Sequence, residues 1–351
     1  MRKLKIGYWP LSPNLNSAGD RRRIVFWAQA RGHTIVTDRD QSVDVIVASE
    51  NSDFNAPYFS KNRIPVIFDL VDAYLSPLNP FDDLARGLAK KLSGQISGEV
   101  KPFSHHARDF CGSSTAVICS SIEQERVIKP YNVNTHVILD SHDEIPFVDV
   151  SDTHVTKSDV RQILWEGQPA TIRGVRQISS TLSRLAKIHS LQFNFVTDES
   201  YYQFLGKHIK RSTLALLKKD LSEISDKIGI TPWTSSNLVE SARHSAIAMI
   251  PIDLSVPMQL LKPENRLLIM WRLGLPCLTS PSPSYSRVTN QAGVSGTCEN
   301  EDAWFVNFSR LLEDSSFASD EVARGQNYLR DYHTRSILLN KWDKAIESAM
   351  G

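Results

Sequence analysis

The sequence has no surplus of either charge: 40 Lys and Arg side chains stand against 39 Asp and Glu, a net of +1. A protein that neutralises many phosphates along a duplex carries a clear basic excess. Nucleic acid is therefore excluded as the main partner, and only a local basic cleft remains open. No apolar run approaches the roughly 20 residues needed to cross a bilayer, so no transmembrane helix is expected. The opening residues, MRKLKIGYWPLSP, hold cations but lack the apolar stretch of roughly 7–15 residues that a signal peptide needs. Cysteine is scarce, and none of Cys111, Cys119, Cys277 and Cys298 stands in a CxxC pair. That excludes a zinc ribbon or a dithiol redox motif and predicts small buried thiols in a reducing compartment. Short repeats and low-complexity tracts are missing too. With 41% hydrophobic and 23% charged residues, the composition is that of a folded globular chain rather than a disordered one.

What the chain does have is a regular alternation of short apolar segments with segments of helical length. LKIGYW, VDVIVAS, IPVIFDL, TAVICSS and THVILD are short and almost wholly apolar, as strands buried on both faces are. RRRIVFWAQARG places Ile24, Val25, Trp27 and Ala28 on one side of a helix closed by Gly32, and HTIV begins the next strand. DLARGLAKKLSGQ and EQERVIKPY supply further helices. After a polar stretch, residues 147–159, the alternation starts again. Strands are expected at QILWEG, FNFVTD, GITPW, AIAMIPI and PCLTS. Helices are expected from Gly174 to His189, around residues 204–226, at SSNLVESARHS and at PENRLLIMWRL, the last stopped by Gly274. The closing DYHTRSILLNKWDKAIESAM reads as one amphipathic helical region. A chain of 351 residues exceeds a single domain of roughly 100–200. The pattern predicts an α/β protein of two Rossmann-like domains facing a cleft, at residues 1–152 and 153–334. A terminal helix, 335–351, is expected to pack back on the first.

Ligands of open α/β sheets sit at the carboxyl ends of strands, so the residues just after strands carry the chemical interest. In the stretch 246–285 a helix is expected to start with Pro263 near its first position, where a missing N–H costs nothing. Lys262, Glu264, Asn265 and Arg266 then cluster at a helix N-terminus. Its free amides and dipole favour a phosphate, and Lys262 and Arg266 add full charges. A capped, solvated helix start explains the same residues equally well. In SPSPSY, the hydroxyls of Ser284 and Tyr285 either bind phosphate or sugar or belong to a proline-stiffened turn. Trp233 in ITPWTSS either offers a stacking face or joins the core.

In the first half, Gly19 with Arg21, Arg22 and Arg23 opens a helix after a strand and loop. The glycine lets a phosphate approach the backbone, and Arg21 and Arg22 are candidates to hold it. Three consecutive arginines point in different directions, so at least one is expected in solvent. No G-x-G-x-x-G fingerprint is present, which disfavours a nicotinamide or flavin dehydrogenase. FDLVDAY puts Asp69 and Asp72 at a strand end, where a carboxylate either takes a proton from a hydroxyl or caps the next helix. Asp72 is the first candidate for a base and Asp69 the second; Glu166 and the run His142-Asp143-Glu144 rank lower. DRD at 38–40 follows a strand directly and reads as a turn. His105, His106 and Asp109 on one helix supply too few convergent ligands for a metal. The basic KHIKRSTLALLKK, residues 207–219, reads as a solvated helix face, with contact to an anionic membrane surface as the alternative.

KPENRLLIMWRLGLPCLTS resembles the K-x-x-N-K/R-L-x-E-x-x-x-x-G-x-P-V-x-x segment in the second, donor-binding domain of GT-B glycosyltransferases. SAGDRRRIVFWAQARGH is similar to the glycine loop and helix that open these enzymes, and IPVIFDLVDAY to their I-P-V-V-Y-D-x-H-D strand. AVICSS and VILDSHD are similar to the last strands of their first domain, and ILWEGQ to the opening strand of the second. Order and spacing extend the likeness over most of the chain.

The resemblance implies a transferase that moves a sugar from a nucleotide-activated donor to a saccharide or lipid-linked glycan acceptor in surface polysaccharide synthesis, with no metal or other cofactor. It implies donor contacts from Lys262, Glu264, Asn265, Arg266, Ser284, Tyr285, Trp233, Glu166 and Gly167, and acceptor or phosphate contacts from Gly19, Arg21 and Arg22. The chain departs from the family at Ile269, where a Glu normally holds the donor ribose; Glu264, in the preceding turn, is the substitute on offer. The Glu-x7-Glu pattern of the large retaining family is absent, which leaves stereochemistry open. A nucleotide-sugar epimerase or another transferase on the same scaffold is the nearest alternative. From another class, the alternatives are a non-catalytic bilobal sugar-binding protein or a silent scaffold. The expected location is the cytoplasm, with peripheral contact at the inner face of the membrane left open.

Overall fold

The computed structural model describes residues 2–38, 41–54, 64–76, 79–96, 98–150, 160–203 and 209–351. They divide into two units. The first comprises Met1–Asp143, Val256–Pro263 and Thr334–Gly351, and the second Glu144–Ser255 and Glu264–His333.

The first unit is built on six parallel strands: β1 Lys5–Trp9, β2 Thr34–Val36, β3 Val45–Ser49, β4 Val66–Leu70, β5 Ala116–Cys119 and β6 Thr135–Val137. Their order in the sheet is β2-β1-β3-β4-β5-β6. Every residue of β3, β4 and β5 is buried, which is why these strands read as almost wholly apolar runs rather than alternating ones. The helix Ile24–Arg31 ends at Gly32, whose φ of 67° is a left-handed conformation that glycine adopts without steric cost. On the same side of the sheet, Trp27 stacks on Trp342 of the terminal helix Arg335–Met350, with ring centroids 6.0 Å apart. Both indoles are buried, and losing either by truncation would cost about 3–5 kcal/mol.

The second unit has five parallel strands: β7 Arg161–Glu166, β8 Leu191–Thr197, β11 Ile228–Pro232, β12 Ser245–Ile250 and β13 Cys277–Thr279. They run in the order β11-β8-β7-β12-β13. A small antiparallel pair, β9 Ser200–Gln203 and β10 Ile209–Ser212, stands apart from that sheet. In each sheet the first strand lies inside, and the chain builds first on one side of it and then on the other. The reversal falls beside β1 in the first unit, between β2 and β3. In the second it falls beside β7, between β8 and β12. Such switch points open a crevice at the strands' carboxyl ends, where ligands of this architecture bind.

Each strand expected from the sequence is present, and three helical expectations are corrected. The segment around 204–226 holds β10 before the helix Thr213–Asp220 and a 3-10 turn at Ser222–Lys227. The basic run 207–219 is therefore not one helical face, because Ser212 caps the helix by accepting from the Ala215 N–H at 3.3 Å. Gly174 to His189 divides into Arg173–Arg176 and Ser179–Ile188. The C-terminal region breaks between Tyr332 and Arg335, where the Thr334 hydroxyl accepts from the Ile337 N–H at 3.3 Å and starts a new helix. Arg39 and Asp40 of the DRD turn, residues 151–159 of the polar joint and residues 204–208 lie outside the described residues. Among the described residues no helix is long and apolar enough to cross a membrane.

Candidate active site

In the second unit, the polar residues gather where β7, β8 and β13 end. Glu166 is the last residue of β7. Its Oε1 accepts from the Trp233 Nε1–H at 2.8 Å, and its backbone carbonyl accepts from Arg266 Nη1 at 3.1 Å. Gly167 follows, and a Cβ there would lie 3.0 Å from Arg266 Nη1 and 2.9 Å from Thr171 Oγ1, so a side chain at this position would press on the arginine where it crosses the strand end. The indole of Trp233 is thus tethered by its N–H to a carboxylate just beyond β11.

The helix Asn265–Arg272 starts two residues later than expected: Pro263 precedes it, and Glu264 is its cap position. No side chain caps its first turn from that position, because the Glu264 carboxylate is buried and turned toward Arg287, at 3.4 Å. Ile269, at the position of the family's ribose-binding Glu, is buried on the inner face of this helix. Four buried polar atoms in the region have no hydrogen-bond partner among the described residues: Glu166 Oε2, Asn265 Oδ1, Thr197 Oγ1 and Thr279 Oγ1. Thr197 and Thr279 are the final residues of β8 and β13.

Ser284 and Tyr285 do not present hydroxyls at the surface. Both are buried in the first turn of the helix Pro283–Ala292, which Ser282 caps. The Tyr285 phenol is pushed up by burial, while the Arg266 guanidinium bonded to it pulls the other way.

In the first unit, the loop after β1 closes around Asp20, a residue not singled out from the sequence. This carboxylate accepts from the Leu11 N–H at 2.8 Å, from the Ser12 N–H at 3.0 Å and hydroxyl at 2.6 Å, and from the Ser17 hydroxyl at 2.6 Å. The Tyr8 hydroxyl adds a further bond at 2.5 Å. Burial alone would raise its carboxyl, but the bonds from Ser12, Ser17 and Tyr8 outweigh burial and hold it below its ordinary value. Gly19 sits in the single helical turn Ala18–Arg21, where a Cβ would lie 2.3 Å from Leu11 Cδ1.

Of the three arginines, Arg21 is half-buried and Nη1 reaches the Asn16 carbonyl at 3.4 Å. Arg22 is buried rather than offered to solvent. Arg23 is completely buried, with Nη2 2.5 Å from Asp69 and Nη1 3.2 Å from Asp140. Burial alone would lower its guanidinium, but these two carboxylates more than compensate, so it stays charged. Two expectations are corrected in place: Asp69 is a buried partner of Arg23 rather than a carboxylate open at the strand end, and Arg22 is buried rather than offered at the surface.

Asp72 stands differently. Its side chain keeps 41% of its surface and lies 3.6 Å from Lys262 Nζ. Lys262 belongs to this unit, not to the second, and its neighbour Leu261 accepts a bond from the Ser121 hydroxyl at 2.7 Å. Glu50, just past β3 and also missed from the sequence, accepts from the Val71 N–H at 3.0 Å and the Asp72 N–H at 3.4 Å. Burial, and then the Asp72 charge, push its carboxyl up to about 8. Of the lower-ranked candidates, His142 is buried and Asp143 pairs with Arg335. His105, His106 and Asp109 share the helix Phe103–Ser113, and among the described residues no three His, Cys, Asp or Glu side chains are placed to hold a metal ion.

With this geometry in hand, the chain can be set beside known proteins. No family model matches the sequence, and no curated protein matches it. Solved structures do. Anabaena HepE, crystallised with UDP and glucose, is 10% identical with a TM-score of 0.65, over 98% of this chain and 100% of its own. The fold is GT-B-like. The glycosyltransferase WaaG, involved in lipopolysaccharide biosynthesis, is 11% identical with a TM-score of 0.56, over 99% of this chain and 100% of its own. Sucrose-phosphate synthase from Thermosynechococcus elongatus is 11% identical with a TM-score of 0.58, over 92% of this chain and 75% of its own. At such identities the likeness establishes the architecture of two parallel α/β sheets, and the chemistry has to be argued from the residues.

Proposed function

We propose that this protein is a glycosyltransferase that takes a sugar from a nucleotide-activated donor. The observation that carries the reading is the carboxyl edge of the second sheet. There Arg266 lies across the end of β7, beside a helix start that no side chain caps, among buried acceptors and hydroxyls without partners. A donor's diphosphate suits the amides, the helix dipole and the guanidinium, and its ribose hydroxyls suit Glu166 Oε2 and Asn265 Oδ1. Anabaena HepE, crystallised both with UDP and with UDP-glucose, supports a uridine nucleotide as the first to try.

In the transfer step an acceptor hydroxyl oxygen bonds to the anomeric carbon as that carbon's bond to the diphosphate breaks. The leaving nucleoside diphosphate keeps the electron pair, and Arg266 and the helix start stabilise its growing charge. For a displacement that inverts the anomeric centre, Asp72, beside Lys262, takes the acceptor's proton. No metal is required in this scheme. The acceptor is proposed to be a saccharide or lipid-linked glycan, in keeping with WaaG's part in lipopolysaccharide biosynthesis.

The test is a thermal-shift panel of UDP, GDP, ADP, CMP and their sugars, in EDTA, on the wild type and on Arg266→Ala. A nucleotide at about 100 times its dissociation constant adds about 2.7 kcal/mol to stability. One nucleotide should raise the melting temperature of the wild type, and Arg266→Ala should lose most of that rise. If no nucleotide stabilises the wild type, the reading fails. Recovery of an epimerised but unspent donor would instead establish the epimerase alternative.

A further inference from the structure

The turn that carries Asp72 is held by side chains from neighbouring segments. β4 ends at Leu70, and from there each backbone group meets a side chain in turn. The Leu70 carbonyl accepts from Gln124 Nε2 at 3.0 Å, and the Asp72 carbonyl accepts from the same nitrogen at 3.1 Å. Between them the Val71 carbonyl accepts from the Ser120 hydroxyl at 3.2 Å, while the Val71 and Asp72 N–H groups donate to Glu50. Glu50, Ser120 and Gln124 are all buried. A segment just past a strand is ordinarily a surface loop that moves more than the strand itself. This one is fixed from both sides, while the Asp72 side chain keeps 41% of its surface.

Helix capping alone does not account for Gln124. Ser121 is the N-cap of the helix Ile122–Ile128, and its hydroxyl accepts the Gln124 N–H at 3.0 Å. Ser-x-x-Gln at such a start forms a capping box, in which the Gln side chain turns back to the N–H of the N-cap residue itself. Here Gln124 Oε1 instead takes the N–H of Ser120, at 3.0 Å, and Nε2 is directed at the turn after β4. An amide nitrogen has two hydrogens to donate, and these go to Leu70 and Asp72. Exchanging O and N would set an oxygen against two carbonyls, so the network fixes the amide's orientation. The Ser121 hydroxyl also has a second task, donating to the Leu261 carbonyl at 2.7 Å. Leu261 precedes Lys262, whose Nζ lies 3.6 Å from Asp72. Residues 121–124 thus grip the chain beside both members of that ion pair.

We propose that Gln124 and Ser121 are positioning residues for the transfer step. Gln124 fixes the backbone from which Asp72 reaches the acceptor, and Ser121 fixes the segment that brings Lys262 beside it. Both act through their neighbours, and the proposal rests on the reading of Asp72 as the base. A base works only within hydrogen-bond reach of the proton it removes. Aspartate sets its carboxylate a single methylene from Cα, so a shift of the backbone at residue 72 passes to the carboxylate almost undiminished. A displacement of about 1 Å can cost about a hundredfold in rate.

The test follows UDP release from UDP-glucose by the full chain with two nucleophiles, water and added azide. Water's oxygen bonds to the anomeric carbon as UDP leaves with the electron pair; glucose forms, and the proton goes to Asp72. Azide bonds through nitrogen with the same departure of UDP and gives glucosyl azide. It has no proton to lose and needs no base. Asp72→Asn should lose the water reaction and keep the azide reaction, which checks the underlying reading. Gln124→Met, similar in length but without N–H groups, should slow the water reaction about tenfold to a hundredfold. Its KM for UDP-glucose and its azide reaction should stay as in the wild type. Ser121→Ala should slow the water reaction several-fold in the same pattern, and it carries the test if Gln124→Met does not fold. If Asp72→Asn still uses water, the base reading fails and the proposal falls with it. If Asp72→Asn behaves as expected but Gln124→Met and Ser121→Ala use water at the wild-type rate, the proposal alone is overturned. Equal loss of the water and azide reactions in both variants would show a merely structural role and overturn it too.

Discussion

Replacing Glu50 by Gln should reshape the pH dependence of stability without creating a hole in the fold. The carboxyl is buried and accepts two backbone N–H groups through one oxygen, which a glutamine carbonyl can also do. Burial and the Asp72 charge raise it from an ordinary 4.5 to about 8; Asp69 adds to the rise, and the N–H bonds from Asp72 and Val71 oppose it. A carboxyl raised on folding binds its proton more tightly in the native state than in the unfolded one. Its contribution is therefore complete below about pH 4.5 and is lost as pH climbs toward 8. At about 1.4 kcal/mol per pH unit, that gap sets a ceiling of about 5 kcal/mol.

Glutamine cannot ionise, so Glu50→Gln should match the wild type near pH 4.5 and exceed it progressively up to pH 8. Other groups titrate in that window, including His33, His106 and His136, whose imidazoles burial holds down, so the difference between variant and wild type is the informative quantity. Urea denaturation at a series of pH values gives it directly. A difference that stays flat from pH 5 to 8 would refute the idea that Glu50 carries a proton beneath Asp72.

Two further outcomes follow from other buried contacts. Asp20→Asn sets an amide N–H₂ against a site that accepts bonds from Leu11, Ser12, Ser17 and Tyr8, and should cost about 3 kcal/mol at neutral pH. Because the wild-type carboxyl is held below its ordinary value, its stability is lost as pH falls through the native pKa, so urea curves of the two proteins should converge in acid; parallel curves would contradict this. Gly174→Ala brings a Cβ to 2.1 Å from the Pro251 carbonyl oxygen, an approach that needs backbone movement, and should destabilise by about 2 kcal/mol or more in the same assay. An unchanged midpoint would show that the two segments are not in contact.

The strands were legible because burial on both faces favours one composition: VIVAS, VIFDL and AVIC are apolar except for Ser49 and Asp69 near their carboxyl ends. The hairpin was not, since all four residues of β10 are exposed and IKRS carries no period to read. Asp72 was legible as the acid past a strand end, and so were Glu166 and Gly167 as the close of β7. What escaped depends on partners distant in sequence. Arg23 finds Asp69 and Asp140 46 and 117 residues away, and nothing local in RRR distinguishes the buried member from its neighbours. Glu50 looks like any polar residue after a strand until the N–H groups of Val71 and Asp72 are seen to point at it. Lys262 reads from sequence as part of the second half, whereas the segment Val256–Pro263 groups with the first unit.

The two carboxyl edges differ in how their polar groups are satisfied, and that difference bears on their roles. In the first unit the charges answer one another: Arg23 with Asp69 and Asp140, Asp20 with a ring of donors, Lys262 with Asp72. Of these, Asp72 alone keeps a large exposed surface, which is what a group that meets an acceptor hydroxyl needs. In the second unit, the buried polar atoms without partners among the described residues include two acceptors and two hydroxyls near the sheet's carboxyl edge, Glu166 Oε2, Asn265 Oδ1, Thr197 Oγ1 and Thr279 Oγ1. Each such atom costs about 1–3 kcal/mol, and a fold has little reason to gather several at one sheet edge unless something else satisfies them. Acceptors and donors together match a ligand that carries both hydroxyls and anionic oxygens, as a nucleotide's ribose and phosphates do. Inorganic phosphate alone would leave Glu166 Oε2 and Asn265 Oδ1 facing like oxygens. The second edge is thus suited to a nucleotide and the first to a proton, the division of labour that the proposed transfer requires.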